Sequence, residues 1–268
     1  MPESLDSLTT ESRDDQLADL DLMPTADLVA LMNDRDAQVA VAVRRASGSV
    51  ARLVDAVADR LVGGGRLIYT GAGSAGRLGL LDAVECPPTF GLPDGVVVGL
   101  LAGGTFAETR ATERAEDDER AGADDLLAVG AGPGDAVVAV SASGRTPYAV
   151  AALRHARSVG AFTGAVVCNT GSPMAEVADV AVEVVVGTEI LSGSTRLKAG
   201  TAQKMVLNMI STLAMVRAGR TYGNLMVDVV ATNDKLRRRV ARIVAQAAGC
   251  GDEEAAAVLA AAGGEART

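Results

Sequence analysis

The chain has 268 residues, of which 49% are hydrophobic, and a formal net charge of −9 at pH 7. That apolar fraction is typical of a globular protein and excludes a disordered one. The acidic balance argues against a nucleic acid or an anionic membrane as partner, because neither supplies the opposite charge. The length suits one large domain with a smaller accompanying segment.

The cysteines indicate a reducing compartment. Cys86, Cys168 and Cys250 lie far apart and form no CxxC pair, which excludes a zinc knot and a disulfide framework. No apolar run approaches the roughly 18 residues that a membrane span requires. The first 21 residues are acidic, unlike a secretory signal or a transit peptide. We therefore expect a cytoplasmic protein.

The N-terminal part, residues 1–62, is predicted to be an arm followed by helices that pack on the rest of the protein. Residues 1–24 are polar and show little periodicity, so they are predicted to be irregular. Residues 25–62 carry apolar side chains at helical spacing, which predicts two or three helices. The run Gly63–Gly65 is a typical helix end.

Residues 63–224 alternate between short apolar runs and helical stretches. The runs predict five strands, at residues 66–70, 96–101, 136–140, 165–168 and 182–186. The stretches predict helices at residues 76–85, 106–128, 148–159, 173–179 and 195–218. Continuous apolar runs indicate strands buried on both faces, and alternation with helices indicates right-handed crossovers. The predicted fold class is α/β, a three-layer αβα domain with a mostly parallel five-stranded sheet.

The C-terminal part, residues 225–268, is predicted to be a small helical segment. Within it, residues 232–262 are expected to form two short helices that are interrupted at Gly249–Gly251.

The loop after the first strand, Gly71–Arg77, matches the pattern G-x-G-x-x-G. A dinucleotide site would need an acidic residue near the end of the next strand, which instead ends in Gly99–Gly104 without one. That reading is therefore disfavoured. A tight turn without a ligand and a loop that binds a ligand through backbone N–H groups and the Ser74 hydroxyl remain equally good interpretations.

The loop after the third strand, Ser141–Pro147, is called here the hydroxyl loop. Ser141, Ser143 and Thr146 supply three hydroxyls, and Pro147 is well placed as a first helical residue. Hydroxyl donors beside a helix N-terminus suit a phosphate group. Without a Walker lysine, the loop favours a phosphomonoester over a nucleoside triphosphate.

Three further segments each carry an acidic residue for which the residues alone leave more than one role open. Glu85 is predicted to end a helix before two prolines, where negative charge opposes the helix dipole. Glu189 lies in a loop that leads into the long helix near Lys198. Glu116 belongs to an acidic stretch that reads most simply as a solvated helix face.

Three ordered motifs resemble those of the N-acetylmuramic acid 6-phosphate etherase family, which has the phosphosugar-binding SIS fold. They are GAGSAGRLGLLDAVECPPTFG at 71–91, SASGRTPY at 141–148 and SGSTRLKAGTAQKMVLN at 192–208. The resemblance extends from about Thr10 to about Ala257. The chain resembles the glucokinase regulatory protein, which is not an enzyme, less closely.

The resemblance implies a lyase that cleaves the lactyl ether of N-acetylmuramic acid 6-phosphate by elimination and then adds water. It implies that two glutamates act as acid and base, and by motif position these are Glu85 and Glu116. Because Glu85 has apolar neighbours, we assign it as the acid that protonates departing lactate and Glu116 as the base that takes the C2 proton. It also implies that the 6-phosphate and the sugar hydroxyls are bound by side chains of the loops, namely Ser141, Ser143 and Thr146 for the phosphate and Ser74 and Glu189 for the sugar. It implies no metal, no redox cofactor, and a homodimer with sites near the subunit interface.

The chain departs from the family pattern in two places. The first loop has Ser74–Ala75 where the family usually has Thr-Ser, and the C-terminal segment is expected to be shortened. Two other functions stay open: a regulatory protein that senses a sugar phosphate, and an aldose–ketose phosphosugar isomerase. A transcriptional regulator is disfavoured because residues 1–36 contain ten acidic residues against Arg13 and Arg35.

Overall fold

The computed structural model describes residues 8–109, 113–229 and 234–262. The strands are β1 (Leu67–Gly71), β2 (Val97–Leu101), β3 (Ala136–Ser141), β4 (Phe162–Val167) and β5 (Val180–Glu183). The helices are α1 (Thr25–Arg45), α2 (Ser47–Val62), α3 (Gly73–Phe90), α4 (Gly104–Thr109), α5 (Glu119–Ala128), α6 (Pro147–Ser158), α7 (Pro173–Val177), α8 (Lys198–Arg217), α9 (Asp234–Ala248) and α10 (Asp252–Ala261).

The five strands form one sheet in the order β2-β1-β3-β4-β5, and each neighbouring pair is parallel. The predicted parallel sheet is therefore confirmed. β4 and β5 begin before the predicted residues 165 and 182. Their starts were hidden because Thr163 is polar yet fully buried, where its backbone N–H and its Oγ1 both donate to Asp179 Oδ2 at 2.9 Å.

Helices cover both faces of the sheet, as the αβα prediction requires. Leu67 and Tyr69 of β1 face the layer of α1, α2, α3 and α8. Ile68 and Val137 point to the other face, toward α5 and α6. Alternate residues of one strand thus enter two different cores, which explains why most residues of the strands are apolar.

The helices of the N-terminal and C-terminal parts follow the predicted pattern. The stretch 25–62 forms α1 and α2, and Gly63 ends α2. Val39 and Val57 are buried in the same core as the sheet residues. The break at Gly249–Gly251 separates α9 from α10 as predicted. Among the described residues, no helix has both the length and the apolar character needed to cross a bilayer.

The prediction that two prolines end α3 at Glu85 is wrong, because α3 continues through both prolines to Phe90. The φ angle that the proline ring imposes is helical, so two prolines near the end of a helix mainly remove backbone donors. Beyond the prolines, Thr89 Oγ1 donates to the Glu85 carbonyl at 2.7 Å, within the last turn of the helix. Gly91, with φ of 59°, then ends the helix in the left-handed conformation.

The predicted single helix at 106–128 is also wrong. Within the described residues, the segment consists of α4, a short 3₁₀ turn at Glu113–Asp117, and α5. Asp118 starts α5, because its Oδ1 accepts from Ala121 N at 2.9 Å. Glu116 therefore lies on a short turn and not within a long acidic helix.

Candidate functional site

The candidate site lies where the strand order of the sheet reverses, between β1 and β3. The chain passes from β1 outward to β2 and later from β3 outward to β4, and β1 and β3 are neighbours. In an open parallel sheet, the loops that follow two such strands diverge and leave a crevice at the carboxyl edge. A cavity of about 530 Å³ occupies this position, and we call it the site cavity.

The hydroxyl loop forms one wall of the site cavity. Ser141 Oγ lies 2.9 Å from Thr146 Oγ1 and 3.4 Å from Ser143 Oγ, so the three hydroxyls are close together. Gly144 N donates to Ser141 Oγ at 3.1 Å and Arg145 N donates to Ser143 Oγ at 3.2 Å. These backbone bonds hold the hydroxyls in place before any ligand arrives. Three clustered hydroxyls can donate to the oxygens of one phosphate group.

Two helix N-termini meet the same cavity without a side-chain cap. α3 begins after Ala72 and α6 begins after Thr146, and neither residue caps its helix through its side chain. By contrast, the side chain of Ser172 caps α7. Uncapped N-termini leave backbone N–H groups and partial positive charge directed at the cavity, which favours an anion there.

The first glycine-rich loop forms a tight turn, and part of it also lines the site cavity. A Cβ on Gly71 would lie 2.7 Å from the Val140 carbonyl oxygen, and a Cβ on Gly76 would lie 2.5 Å from the Gly71 carbonyl oxygen. Those two glycines therefore allow β1, β3 and α3 to pack closely. Gly73 and Ser74 lie in the same loop but line the site cavity.

The carboxylates at the cavity come from two segments. Glu116 and Asp117, on the 3₁₀ turn before α5, line it on one side. Glu11, from the N-terminal segment, lines it on another. The structure thus brings Glu116 into the same cavity as the three hydroxyls and Ser74.

The N-terminal segment contributes to the site, which the sequence analysis did not predict. Thr9 N donates to Asn169 Oδ1 at 3.0 Å, and Asn169 Nδ2 donates to the buried Thr10 Oγ1 at 2.9 Å. Asn169 Nδ2 also donates to the Ala142 carbonyl in the hydroxyl loop at 3.0 Å. The available signal was the family resemblance, which begins at about Thr10 and so includes part of this segment.

Glu189 lies outside the site cavity. Its two carboxylate oxygens accept from Lys198 N and Ala199 N, each at 2.9 Å, so it caps α8. Glu189 is 1% exposed, and each of its carboxylate oxygens accepts one backbone bond, so the structure places it at a helix cap and not at the site cavity, where it was expected to bind sugar hydroxyls. Beside it, burial lowers the pKa of Lys198, whose Nζ donates to the Val186 carbonyl at 2.8 Å.

Glu85 also lies outside the cavity lining of its own chain. Its side chain is exposed on α3, with the exposed Leu81 and Val84 beside it. One turn earlier, Asp82 faces inward and lies 3.6 Å from Lys204 of α8. Burial raises the pKa of Asp82, with Ser211, Tyr69 and Lys204 opposing the effect. Because the face of α3 that carries Asp82, Ala83 and Cys86 is buried, Glu85 lies on the exposed side of the helix.

The sequence analysis also missed two residues of the α8 region that line the site cavity, Thr195 and Gln203. Both belong to the motif STRLKAGTAQK, but their residue types alone do not indicate a site. The described residues contain no group of three or more histidine, cysteine or acidic side chains arranged to hold a metal ion.

Full-length relatives decide the family. The chain is 58% identical over 267 residues to the N-acetylmuramic acid 6-phosphate etherase of Rubrobacter xylanophilus, covering 100% of this chain and 89% of that protein. The chain belongs to the N-acetylmuramic acid 6-phosphate etherase family. The family member of Streptomyces avermitilis is 55% identical over 261 residues, covering 97% of this chain and 84% of that protein.

Family models and solved structures agree with this etherase family assignment at the level of the fold. The model of the glucokinase regulatory protein N-terminal SIS domain matches residues 49–157, and the SIS domain model matches residues 122–213. Phosphoheptose isomerases of Neisseria gonorrhoeae and Francisella tularensis superpose with TM-scores of 0.53 and 0.52 at 14% identity each. They cover 73% and 72% of this chain and 100% and 98% of their own chains.

Proposed function

We propose that this protein cleaves the D-lactyl ether of N-acetylmuramic acid 6-phosphate, giving N-acetylglucosamine 6-phosphate and D-lactate. The observation that carries the proposal is the 58% identity over the full chain to a protein named for this substrate. The chemical groups of the site cavity suit this reaction, because the cavity combines a cluster of hydroxyls that can bind a phosphate with carboxylates that can transfer protons.

The substrate is anchored by its 6-phosphate. Ser141, Ser143 and Thr146 donate hydrogen bonds to the phosphate oxygens, and the α3 and α6 N-termini add backbone N–H groups and favourable charge. Ser74 is assigned to a sugar hydroxyl. Anchoring at C6 leaves C2 and C3 free to meet catalytic groups, and fixed orientation itself lowers the barrier.

Glu116 is the base that takes the C2 proton of the open-chain sugar. That proton is acidic because it is next to the C1 aldehyde, so its removal gives a stabilised enolate. The bond from C3 to the lactyl oxygen then breaks as the C2–C3 double bond forms. Water adds at C3 and a proton returns to C2. General base catalysis of this kind contributes roughly 10²–10⁴-fold in rate.

Glu85 is the acid that protonates the departing lactate oxygen, and it is supplied by a second copy of the chain. The proposal rests on two features: Glu85 is exposed outside its own cavity, and Leu81 and Val84 beside it are 45% and 61% exposed. Apolar residues around a charged group suit an interface between copies. We therefore propose a homodimer in which each α3 places Glu85 at the partner's site cavity.

The activity is tested by incubating the protein with N-acetylmuramic acid 6-phosphate in ¹⁸O-labelled water. We expect D-lactate without label and label on the C3 hydroxyl of the sugar product, because water adds to the double bond. Label in lactate would mean hydrolysis at the lactyl carbon and would refute the elimination. Binding without lactate release would support a sugar-phosphate sensor instead, and ketose formation without lactate an isomerase.

The shared site is tested by mixing two inactive variants. Glu85→Gln and Glu116→Gln homodimers should each lose lactate release while staying folded. After the subunits exchange at random, half of the dimers are mixed and each has one intact site, so activity should recover to about a quarter of wild type. If both groups belonged to one chain, no mixed dimer would have an intact site and no activity would return.

We further propose that the enzyme works in the cytoplasm, in the recycling of peptidoglycan amino sugars. The substrate class supports this setting, since a phosphorylated muramic acid combines a cell-wall sugar with an intracellular modification. The widely spaced Cys86, Cys168 and Cys250 are free thiols, which suits a reducing compartment.

A further inference from the structure

Gln203 is a buried side chain of the site cavity whose amide has no partner. It lies in the second turn of α8, is 1% exposed and lines the cavity together with Ser143 and Thr195. Its Nε2 is buried and makes no hydrogen bond to any described part of the chain. Most buried polar groups in proteins are hydrogen-bonded, so this amide requires an explanation.

A ligand in the cavity explains it best. An unsatisfied buried N–H lowers the stability of the empty protein, whereas a methionine of similar length would fill the same space without that cost. The unpartnered amide is therefore explained when the substrate supplies an acceptor oxygen for it. The neighbouring buried polar residue of the same helix, Ser211, differs in this respect, because its hydroxyl donates to the Leu207 carbonyl at 3.2 Å.

The acceptor belongs to the sugar and not to its phosphate. The phosphate has its own donors in Ser141, Ser143 and Thr146, which follow β3. Gln203 comes from α8, in the helical layer on the opposite side of the sheet from α6, and contributes a neutral amide. Because the proposed phosphate position already has three hydroxyls and two helix N-termini as donors, an uncharged oxygen elsewhere on the ligand is the acceptor left for this amide.

We propose that Gln203 is a substrate-binding residue whose Nε2 donates to an uncharged oxygen of the sugar. This inference rests on the proposed function for the identity of the sugar. It predicts that the amide contributes to affinity for the sugar phosphate and contributes nothing to affinity for inorganic phosphate.

The experiment compares wild type with Gln203→Met by calorimetric titration of N-acetylglucosamine 6-phosphate and, separately, of inorganic phosphate. Loss of a neutral hydrogen bond should weaken sugar-phosphate binding by about 5- to 30-fold. The phosphate affinity should stay within twofold of wild type. Ser211→Ala is the matched control, and it should leave both affinities unchanged because Ser211 does not line the site cavity.

Thermal unfolding without ligand separates binding from a structural role. If Nε2 binds the ligand and does not stabilise the empty protein, the Gln203→Met variant should unfold at the wild-type temperature or above it. A lower unfolding temperature with equal weakening of both ligands would show a structural residue, and unchanged sugar-phosphate affinity would equally refute the proposal. Lactate release by wild type tests the function separately, and if it fails, the two titrations still decide the role of Gln203.

Discussion

Replacing Asp135 by alanine should destabilise the protein without touching catalysis. Asp135 precedes β3 and is 5% exposed. Its Oδ1 accepts from Arg66 N at 3.1 Å and from Arg66 Nε at 3.0 Å. Its Oδ2 accepts from Arg66 Nη2 at 2.7 Å and from Gly132 N at 3.0 Å. One carboxylate thus joins the beginnings of two central strands.

The expected loss of stability follows from the hydrogen-bond donors that Asp135→Ala leaves without an acceptor. Two backbone N–H groups, of Arg66 and Gly132, lose their acceptor, at about 1–3 kcal/mol for each buried group. The Arg66 side chain is 29% exposed, so water can replace part of what its guanidinium loses. We expect Asp135→Ala to lower the free energy of unfolding by about 2–4 kcal/mol. That corresponds to a fall of roughly 5–15 °C in Tm.

The assay is urea unfolding together with D-lactate release at saturating substrate. Asp124→Ala is the matched control, because Asp124 also pairs with an arginine, Arg120 at 3.3 Å, but its side chain is 59% exposed. The control should cost less than about 0.5 kcal/mol. Turnover should be unchanged in both variants, since Asp135 lies at the amino edge of the sheet and the site cavity at the carboxyl edge. Equal stability of the two variants would refute the reasoning.

The same carboxylate predicts a pH dependence. Burial alone would raise the pKa of Asp135, but the hydrogen bonds from Arg66 and Gly132 outweigh it and lower the pKa below its usual value. Stability from a lowered carboxyl pKa is complete above the unfolded value, near 4, and is lost as the pH falls through the folded value. The difference between wild type and Asp135→Ala should be constant above about pH 5 and shrink below about pH 4.

Three further variants test the site. Thr146→Val keeps the side-chain shape but removes a phosphate donor, so KM should rise several-fold with kcat nearly unchanged; a wild-type KM would exclude Thr146 from phosphate binding. Gly144→Ala places a Cβ against Ser172 Oγ at a backbone φ of 69°, so KM should rise and Tm should fall. Wild-type KM and Tm would mean that the hydroxyl loop tolerates the strain. Asn169→Ala frees Thr9 and Thr10, so hydrogen exchange at residues 8–12 should accelerate as KM rises; unchanged exchange would show that other contacts hold the segment.

The sheet was predictable because its signal is local and redundant. Most residues of each strand are aliphatic, and alternate positions such as Ile68 and Tyr69 enter different cores, so both faces of the strand favour apolar side chains. The missed strand start at Thr163 illustrates the limit of that signal. Thr163 is buried in β4 with its hydrogen bonds accepted by Asp179, 16 residues later in the chain, and a local pattern of apolar residues does not report such a partner.

The site was predictable only where residue type and position coincide. The hydroxyl loop combines three hydroxyls with a strand end, and that combination indicates a phosphate site by itself. Gln203 and Glu11 gave no such signal, because each reaches the cavity through tertiary packing of a distant segment. Glu189 is the opposite case, a residue expected at the site that lies elsewhere. This acidic residue near a helix start was expected to bind the sugar, whereas its carboxylate caps α8.

The hydroxyl loop and the two uncapped helices are arranged before any ligand binds, and this has a practical consequence for handling the protein. Small tetrahedral oxyanions such as sulfate satisfy the same donors as a phosphate ester. If the proposed phosphate site binds them, such buffers should stabilise the folded state by mass action and raise the measured Michaelis constants by competition. Kinetics and melting curves recorded in an amine-based buffer with chloride as counterion will therefore describe the empty enzyme most faithfully.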